Sequence, residues 1–341
     1  MIVVSFVLPC FNTGRYVEEC VDSLYRQGLR SNQFEIICVN DCSTDNTLTV
    51  LEQIASTHPE VRIINHKNNL GSGGAYTTGL KEAKGKYIQF VDSDDFLVDG
   101  GLKQIVDLAE QENLEVVQFN LIPVDEKGHI IEYQDLRFNS NINEFIGVTD
   151  GYGYLDKAVS LLKYEYLPVP AYRKLYKRSF LCDNLLFFSP TTIGTDCLQN
   201  LQMLVKVTRM VHIPSAIYSF RQNGGGVTRS TMTKGKILSA VNNYSMAYFE
   251  TVRGLFPEKI KCIMQTEYEN DTLNYFRMCI SLSPTDELFV LKHIKNKISF
   301  CCLRLNVKQK FKVLFPYIYF IIRFLHLRWR RLQHCCLHKE K

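Results

Sequence analysis

From the amino terminus to Asp95 the chain alternates four short apolar runs with three segments of helical spacing, and few folds accept that order. The first run, Val3-Val4-Ser5-Phe6-Val7-Leu8, leads into Pro9-Cys10-Phe11-Asn12. A helix follows, with Tyr16, Val17, Cys20, Val21, Leu24 and Tyr25 at three-and-four spacing. Phe34-Glu35-Ile36-Ile37-Cys38-Val39 is a second strand ending in Asn40-Asp41. Ser43 or Thr44 is placed to cap the helix through Leu48, Leu51 and Ile54, which Pro59 stops. Val61-Arg62-Ile63-Ile64 is a third strand, and the glycine-rich turn 71–74 opens a helix that closes near Gly85. The fourth run, Tyr87-Ile88-Gln89-Phe90-Val91, ends in Asp92-Ser93-Asp94-Asp95. This order predicts an α/β fold with a doubly wound, mostly parallel sheet, its polar loops gathered at one edge.

In such sheets ligands bind in the crevice outside the strand ends. The loops after strands one, two and four carry Asn12, Asp41, and Asp92 with Asp94 to that crevice. Two acids fixed there can hold a divalent cation against a phosphate. The competing reading has them cap the helix that follows at about Gly101. A nucleotide diphosphate sugar suits the crevice: Asp41 can accept from base or ribose, unless it serves only an Asx turn. Residues 71–74 lack the full dinucleotide spacing.

The ordered segments 7–12, 37–47, 69–80 and 83–95 together resemble family 2 of the inverting glycosyltransferases, whose fold is called GT-A. The resemblance continues through 173–181, Gly194-Thr195-Asp196 and Tyr218-Ser219-Phe220-Arg221, about residues 1 to 230. It implies that Pro9, Phe11, Asn12 and Asp41 hold the nucleotide, that Asp92 approaches the ribose and the metal, and that Asp94 is the principal ligand of Mg2+ or Mn2+. It implies Asp196 as the catalytic base. Without the family, Asp196 reads as a helix cap ahead of Leu198, Leu201 and Leu204. Three positions depart from the pattern. Thr195 replaces the usual acid before the base, Gly74-Ala75-Tyr76-Thr77 replaces Ala-Ala-Arg-Asn, and Cys42 stands where Gly is common, which predicts a turn without positive φ.

Residues 115–120 read as a further strand, and 125–128 as a hairpin-type turn. The stretch 136–167 reads as an acceptor-side excursion whose Tyr152, Tyr154, Tyr164 and Tyr166 either stack on sugar rings or pack ordinarily. Arg221, with Gly224-Gly225-Gly226 and Arg229, is placed to close over the diphosphate, unless the glycines form a solvated loop. The organisation expected is a GT-A domain over 1–230, with a nucleotide-sugar half to about 120 and an acceptor half over 121–230, and then a helical region over 231–341.

Composition narrows the setting. With 46% hydrophobic and 22% charged residues the chain can bury a sizeable core. Twelve cysteines without paired spacings predict thiols in a reducing compartment, and the amino terminus reads as a strand rather than a signal peptide. A cytoplasmic protein is expected. The formal charge of +5 is concentrated after Lys308, where Glu340 is the only acid. No recognition module accompanies it, so nucleic acid is excluded as partner. The aromatic run 313–322 is too short to span a bilayer and reads as an interfacial helix at a membrane surface, or as a terminal helix docked on the core. His334-Cys335-Cys336-Leu337-His338 lacks structural zinc spacing.

The expected activity is metal-assisted, inverting sugar transfer from a nucleotide diphosphate sugar to a glycan or lipid-linked glycan acceptor. The rivals are a nucleotide-sugar-binding assembly subunit without catalysis and an aspartyl phosphotransferase.

Overall fold

The computed structural model describes residues 1–132, 141–161, 170–191, 193–223, 231–253 and 282–297, with isolated positions between the last two. Tyr164, Tyr166, the glycine loop 224–226, Arg229, the helical pattern from 263 to 277, and the basic tail with its His-Cys cluster lie outside the described residues.

The amino-terminal half follows the sequence pattern. Strands β1 (Val4–Cys10), β2 (Phe34–Asn40), β3 (Val61–Asn65) and β4 (Tyr87–Phe90) alternate with helices α1 (Val17–Tyr25), α2 (Thr47–Thr57) and α3 (Gly71–Glu82). All four strands are parallel in the order β3-β2-β1-β4. The chain therefore steps outward from β1 to β3 and then crosses back to the other side of β1. Direction reverses there, which opens a crevice at the carboxyl ends of β1 and β4. Alternation along β1 explains the two cores. Val4, Phe6 and Leu8 face α1 and α2, while Val7 faces α3.

The second half is mixed. Strand β5 (Phe96–Leu97) and helix α4 (Gly101–Gln111) lead into β6 (Val116–Val124), β7 (Ile146–Thr149) and helix α5 (Gly151–Leu161). A 3-10 turn, Ala171–Arg173, then delivers β8 (Lys174–Lys177), which inserts between β4 and β6, antiparallel to both. Helices α6 (Arg178–Asp183) and α7 (Thr195–Lys206) precede β9 (Met210–Arg221), which pairs with β6 in parallel and with β5 and β7 in antiparallel. The result is a nine-stranded, mostly parallel sheet in an α/β fold. Helix α8 (Lys234–Arg253) docks on the segment before α7 through Ser239 and Asn243, and α9 (Pro284–Lys297) is tied to α8 by the Lys234–Asp286 ion pair.

Among the described residues no helix is long and apolar enough to cross a membrane, and the cysteines are free thiols. Tyr154 is core: it is buried, and its hydroxyl bonds Gln118 on β6. That removes it from the set of sugar-stacking tyrosines. Tyr152 is partly buried against the same core.

Candidate active site

The crevice is assembled by hydrogen bonds between loops that are distant in sequence. Asn12, at the end of β1, adopts φ 55°, and its Oδ1 accepts from the Thr44 N–H at 2.8 Å. Its own N–H donates to Ser43 Oγ at 3.2 Å. Ser93 Oγ, beyond β4, donates to the Pro9 carbonyl at 2.7 Å and shares a 2.9 Å bond with Thr13 Oγ1. The ends of β1, β2 and β4 are thus tied together, with Phe11 exposed at the rim. Two local expectations are corrected. Ser43 and Thr44 bond across to Asn12, so the first turn of α2 is served by Asp45, whose Oδ1 accepts from the Thr47 N–H at 2.9 Å. Cys42 has φ 65°, so the turn does require a left-handed residue, and a thiol bears the strain that glycine would avoid.

Asp41 lies at the end of β2 and is only 2% exposed. Its Oδ1 accepts from His66 Nδ1 at 2.7 Å and from the Leu70 N–H at 2.8 Å. His66 Nε2 in turn meets Thr78 Oγ1 of α3 at 2.9 Å. These partners are far away in sequence, so Asp41 is not an Asx-turn residue; it fixes the loop that leads from β3 into α3. The glycines of that helix serve close packing. A Cβ at Gly73 would lie 1.9 Å from the Ser189 carbonyl, and one at Gly79 would lie 2.2 Å from Val7 Cγ1.

After β4 the three acids diverge. Asp92 Oδ1 accepts from the buried Tyr76 hydroxyl, and the Asp92 N–H donates to Tyr218 Oη at 3.1 Å. Burial, and then the charge of Asp94, push the Asp92 carboxyl up to about 7. Asp94 Oδ2 accepts from Asn223 Nδ2 at 2.7 Å. Asp95 is buried, accepting from Tyr218 Oη and from the Arg221 N–H, both at 2.7 Å. Asp95 is therefore not the cap of α4, whose N-cap is Gly100. It welds β4 to β9. Arg221 is corrected in the same way. Its guanidinium donates to the Asp94 carbonyl at 2.8 Å, the Glu126 carbonyl at 2.6 Å and Glu19 Oε2 at 2.6 Å, and it lies between the rings of Tyr16 and Phe96. It is 2% exposed, a brace beneath Asp94 rather than a hand over a diphosphate.

Asp196 lies in the first turn of α7, whose N-cap is Gly194 at φ 74° with no side-chain cap. The helix-cap reading is therefore not what the structure holds. Asp196 Oδ2 accepts a single long bond, 3.5 Å, from the Ala171 N–H, and Oδ1 is buried without a partner. Burial raises the carboxyl to about 6, opposed by the Lys174 charge and the Ala171 N–H. Lys174 is fully buried, bonds the Pro170 carbonyl at 3.0 Å, and is lowered to about 7 by desolvation. The charge of Asp196 also raises Asp92, so the two acids face a common space. Thr195, where an acid was expected, donates to the Ser189 carbonyl at 3.1 Å and holds the segment that enters α7.

Residues 5–160 match the family described as Glycosyl transferase family 2. The chain belongs to that family. Family 2 relatives include the uncharacterized glycosyltransferase EpsJ of Bacillus subtilis (strain 168), 30% identical over 230 residues, which span 66% of this chain and 63% of EpsJ. The chain thus spans less than two thirds of that relative's length. Among solved structures, S. aureus TarS 1-349 in complex with UDP-GlcNAc superposes with a TM-score of 0.63 at 18% identity, over 88% of this chain and 83% of that one. The mannosyltransferase PcManGT from Pyrobaculum calidifontis, in complex with GDP-Man and Mn2+, gives 0.54 at 16%, over 96% and 87%. Both likenesses are of fold.

Set against the family 2 pattern, the structure brings Pro9, Asn12, Asp41, Asp92, Asp94 and Asp196 around one crevice, leaves Phe11 at its rim, and withdraws Arg221 to its floor. Among the described residues no group of three or more His, Cys, Asp or Glu side chains is gathered as a metal site. Two carboxylates nonetheless fit Mg2+ or Mn2+, because these hard cations bind through one or two carboxylates and complete their shell with substrate phosphate and water. The mutual elevation of Asp92 by Asp94 is what such a cation would relieve. Sequence reasoning missed Tyr76, Tyr218 and Asn223, which hold the acids in place. Of these, Tyr76 alone left a signal, as a departure from the family segment.

Proposed function

We propose that the protein is an inverting glycosyltransferase that moves a sugar from a nucleotide diphosphate sugar to a glycan or lipid-linked glycan acceptor. The observation that carries this reading is the meeting of two differently prepared acid sets. Asp92 and Asp94 are fixed at the end of β4 by neutral hydrogen-bond donors, while Asp196 faces them with a raised proton affinity and an unpartnered oxygen. A carboxyl raised to about 6 is ionised at neutral pH and is a better proton acceptor than an ordinary aspartate. Asp196 takes the proton from the acceptor hydroxyl as that oxygen attacks the anomeric carbon, and attack opposite the departing diphosphate inverts the configuration.

Asp94, with Asp92 beside it, would hold Mg2+ or Mn2+. When bound, the cation supplies Lewis-acid stabilisation of the charge on the leaving diphosphate. Asp41, held by His66 and the Leu70 N–H, orients the nucleoside, and the Pro9–Asn12 turn lines its entrance. The relatives' complexes with UDP-GlcNAc and with GDP-Man and Mn2+ support a nucleotide-sugar donor and a divalent cation. The acceptor side is assigned to 121–230, and the tail from 308 to a membrane surface, on its basic and aromatic sequence.

The test is a panel of nucleotide sugars scored by thermal stabilisation, with and without manganese, and then by transfer. Stabilisation by one donor that requires manganese, lost in Asp94→Ala, is expected. A phosphoryl group trapped on Asp92 would establish phosphotransfer instead. Donor binding without any turnover, unchanged in Asp196→Asn, would mark an assembly subunit.

A further inference from the structure

Tyr76 belongs to α3, away from every strand end, yet it touches both halves of the site. Its ring, 2% exposed, packs edge-on against Phe90 of β4 at 4.9 Å and against Phe188 at 5.1 Å, and Phe90 and Phe188 pack on each other at 5.1 Å. Three mutually packed rings leave the phenol little freedom, so the hydroxyl is aimed by the ring. It meets Asp92 Oδ1.

The same face of α3 holds the chain that leads to Asp196. Thr77 Oγ1 donates to the Phe188 carbonyl and accepts from the Phe188 N–H, both at 3.0 Å. The Gly73 N–H donates to the Thr191 carbonyl at 3.2 Å, and Thr195 Oγ1 closes the segment onto Ser189. A continuous series of contacts therefore runs from Asp92 through Tyr76 and Phe188 to the first turn of α7.

We propose that Tyr76 is a positioning residue that orients Asp92 for the donor's diphosphate and cation and registers it against the segment carrying Asp196. The chemistry of the donor group supports this role. Tyr76 and Asn223, the hydrogen-bond donors to the Asp92 and Asp94 carboxylates, are both neutral. A neutral O–H fixes the direction of a carboxylate without cancelling its charge, so the full charge is left for a cation. An arginine in the same place would pair with Asp92 and compete with that cation. Partners of this kind, which orient a metal-binding carboxylate without touching the metal, typically affect metal affinity or activity by about 10–100-fold.

The inference rests on the donor-site reading above, and a double-variant cycle on the full chain separates the two. Binding of UDP and of GDP, each with manganese, is measured by calorimetry for wild type, Tyr76→Phe, Asp92→Asn and the double variant. Phenylalanine keeps the ring packing, so a melting temperature near that of wild type is expected. Tyr76→Phe should weaken manganese-dependent nucleotide binding about tenfold. The double variant should bind no more weakly than Asp92→Asn alone, because Tyr76 acts through Asp92. Unchanged affinity in Tyr76→Phe, or full additivity in the double variant, overturns the proposal. Failure of wild type to bind either nucleotide with manganese overturns the donor-site reading and this proposal with it.

Discussion

On the β4 side of the crevice each carboxylate is tied to the frame, whereas Asp196 on the α7 side has one long hydrogen bond and an oxygen with none. Asp95 accepts two bonds of 2.7 Å from β9, Asp94 is held by Asn223, and Asp92 by Tyr76. Asp196 has only the Ala171 N–H at 3.5 Å. A buried carboxylate that is fully bonded stabilises the arrangement of its neighbours. A buried carboxylate left short of partners costs stability and gains proton affinity. The contrast suits a division of labour in which one side holds a ligand and the other moves a proton.

The largest effect expected is on turnover. Asp196→Asn should lower kcat by about 10²–10⁴-fold while leaving manganese-dependent nucleotide affinity unchanged. Comparable loss of nucleotide binding would erase the distinction between the two sides. Asp94→Asn should do the reverse, weakening manganese-dependent nucleotide binding by about 10–100-fold, as read by calorimetry.

Stability separates the sides next. Tyr218→Phe removes a donor from buried Asp95 and should destabilise the fold by about 1–3 kcal/mol in urea denaturation. Gly73→Ala, which drives a methyl group into the Ser189 carbonyl, should cost about 1–3 kcal/mol and show that α3 holds the α7 segment by close approach.

The smallest effects are in pH. Asp196 must be ionised to accept a proton, so kcat should rise with pH through an acid limb near 6. Because its folded-state value is raised above the unfolded one, the folded protein binds the proton more tightly. Stability from this group therefore falls as pH rises from about 4 to about 6. Asp196→Asn should raise the melting temperature at pH 8 and leave it unchanged at pH 4. A lowered melting temperature at pH 8 would mean that Asp196 is braced after all.

How far the site was legible follows from how each residue is held. Asp92 and Asp94 were readable because they terminate an apolar run, and a run of that length ending in acids can only be a strand delivering them to a sheet edge. Asp95 stands in the same run and was misread as a cap, because its partners, Tyr218 and Arg221, lie more than a hundred residues later. Arg221 was misread for the same reason: an arginine near a glycine loop resembles a phosphate contact until Glu19, Glu126 and the Asp94 carbonyl are found around it.

The parallel order of the first four strands and the helices between them were set by local periodicity, since each apolar stripe must be buried and right-handed crossovers leave little choice of topology. The antiparallel insertion of β8 between β4 and β6, the left-handed turn at Cys42 and the hold of Tyr76 on Asp92 were settled only in three dimensions. Periodicity reports which face of an element is buried, and it carries no information about which distant group will meet a polar atom once that face is packed. In this protein the acids that define the crevice come from local pattern. Their separation into ligand-holding and proton-accepting groups comes from partners that only the folded chain brings near.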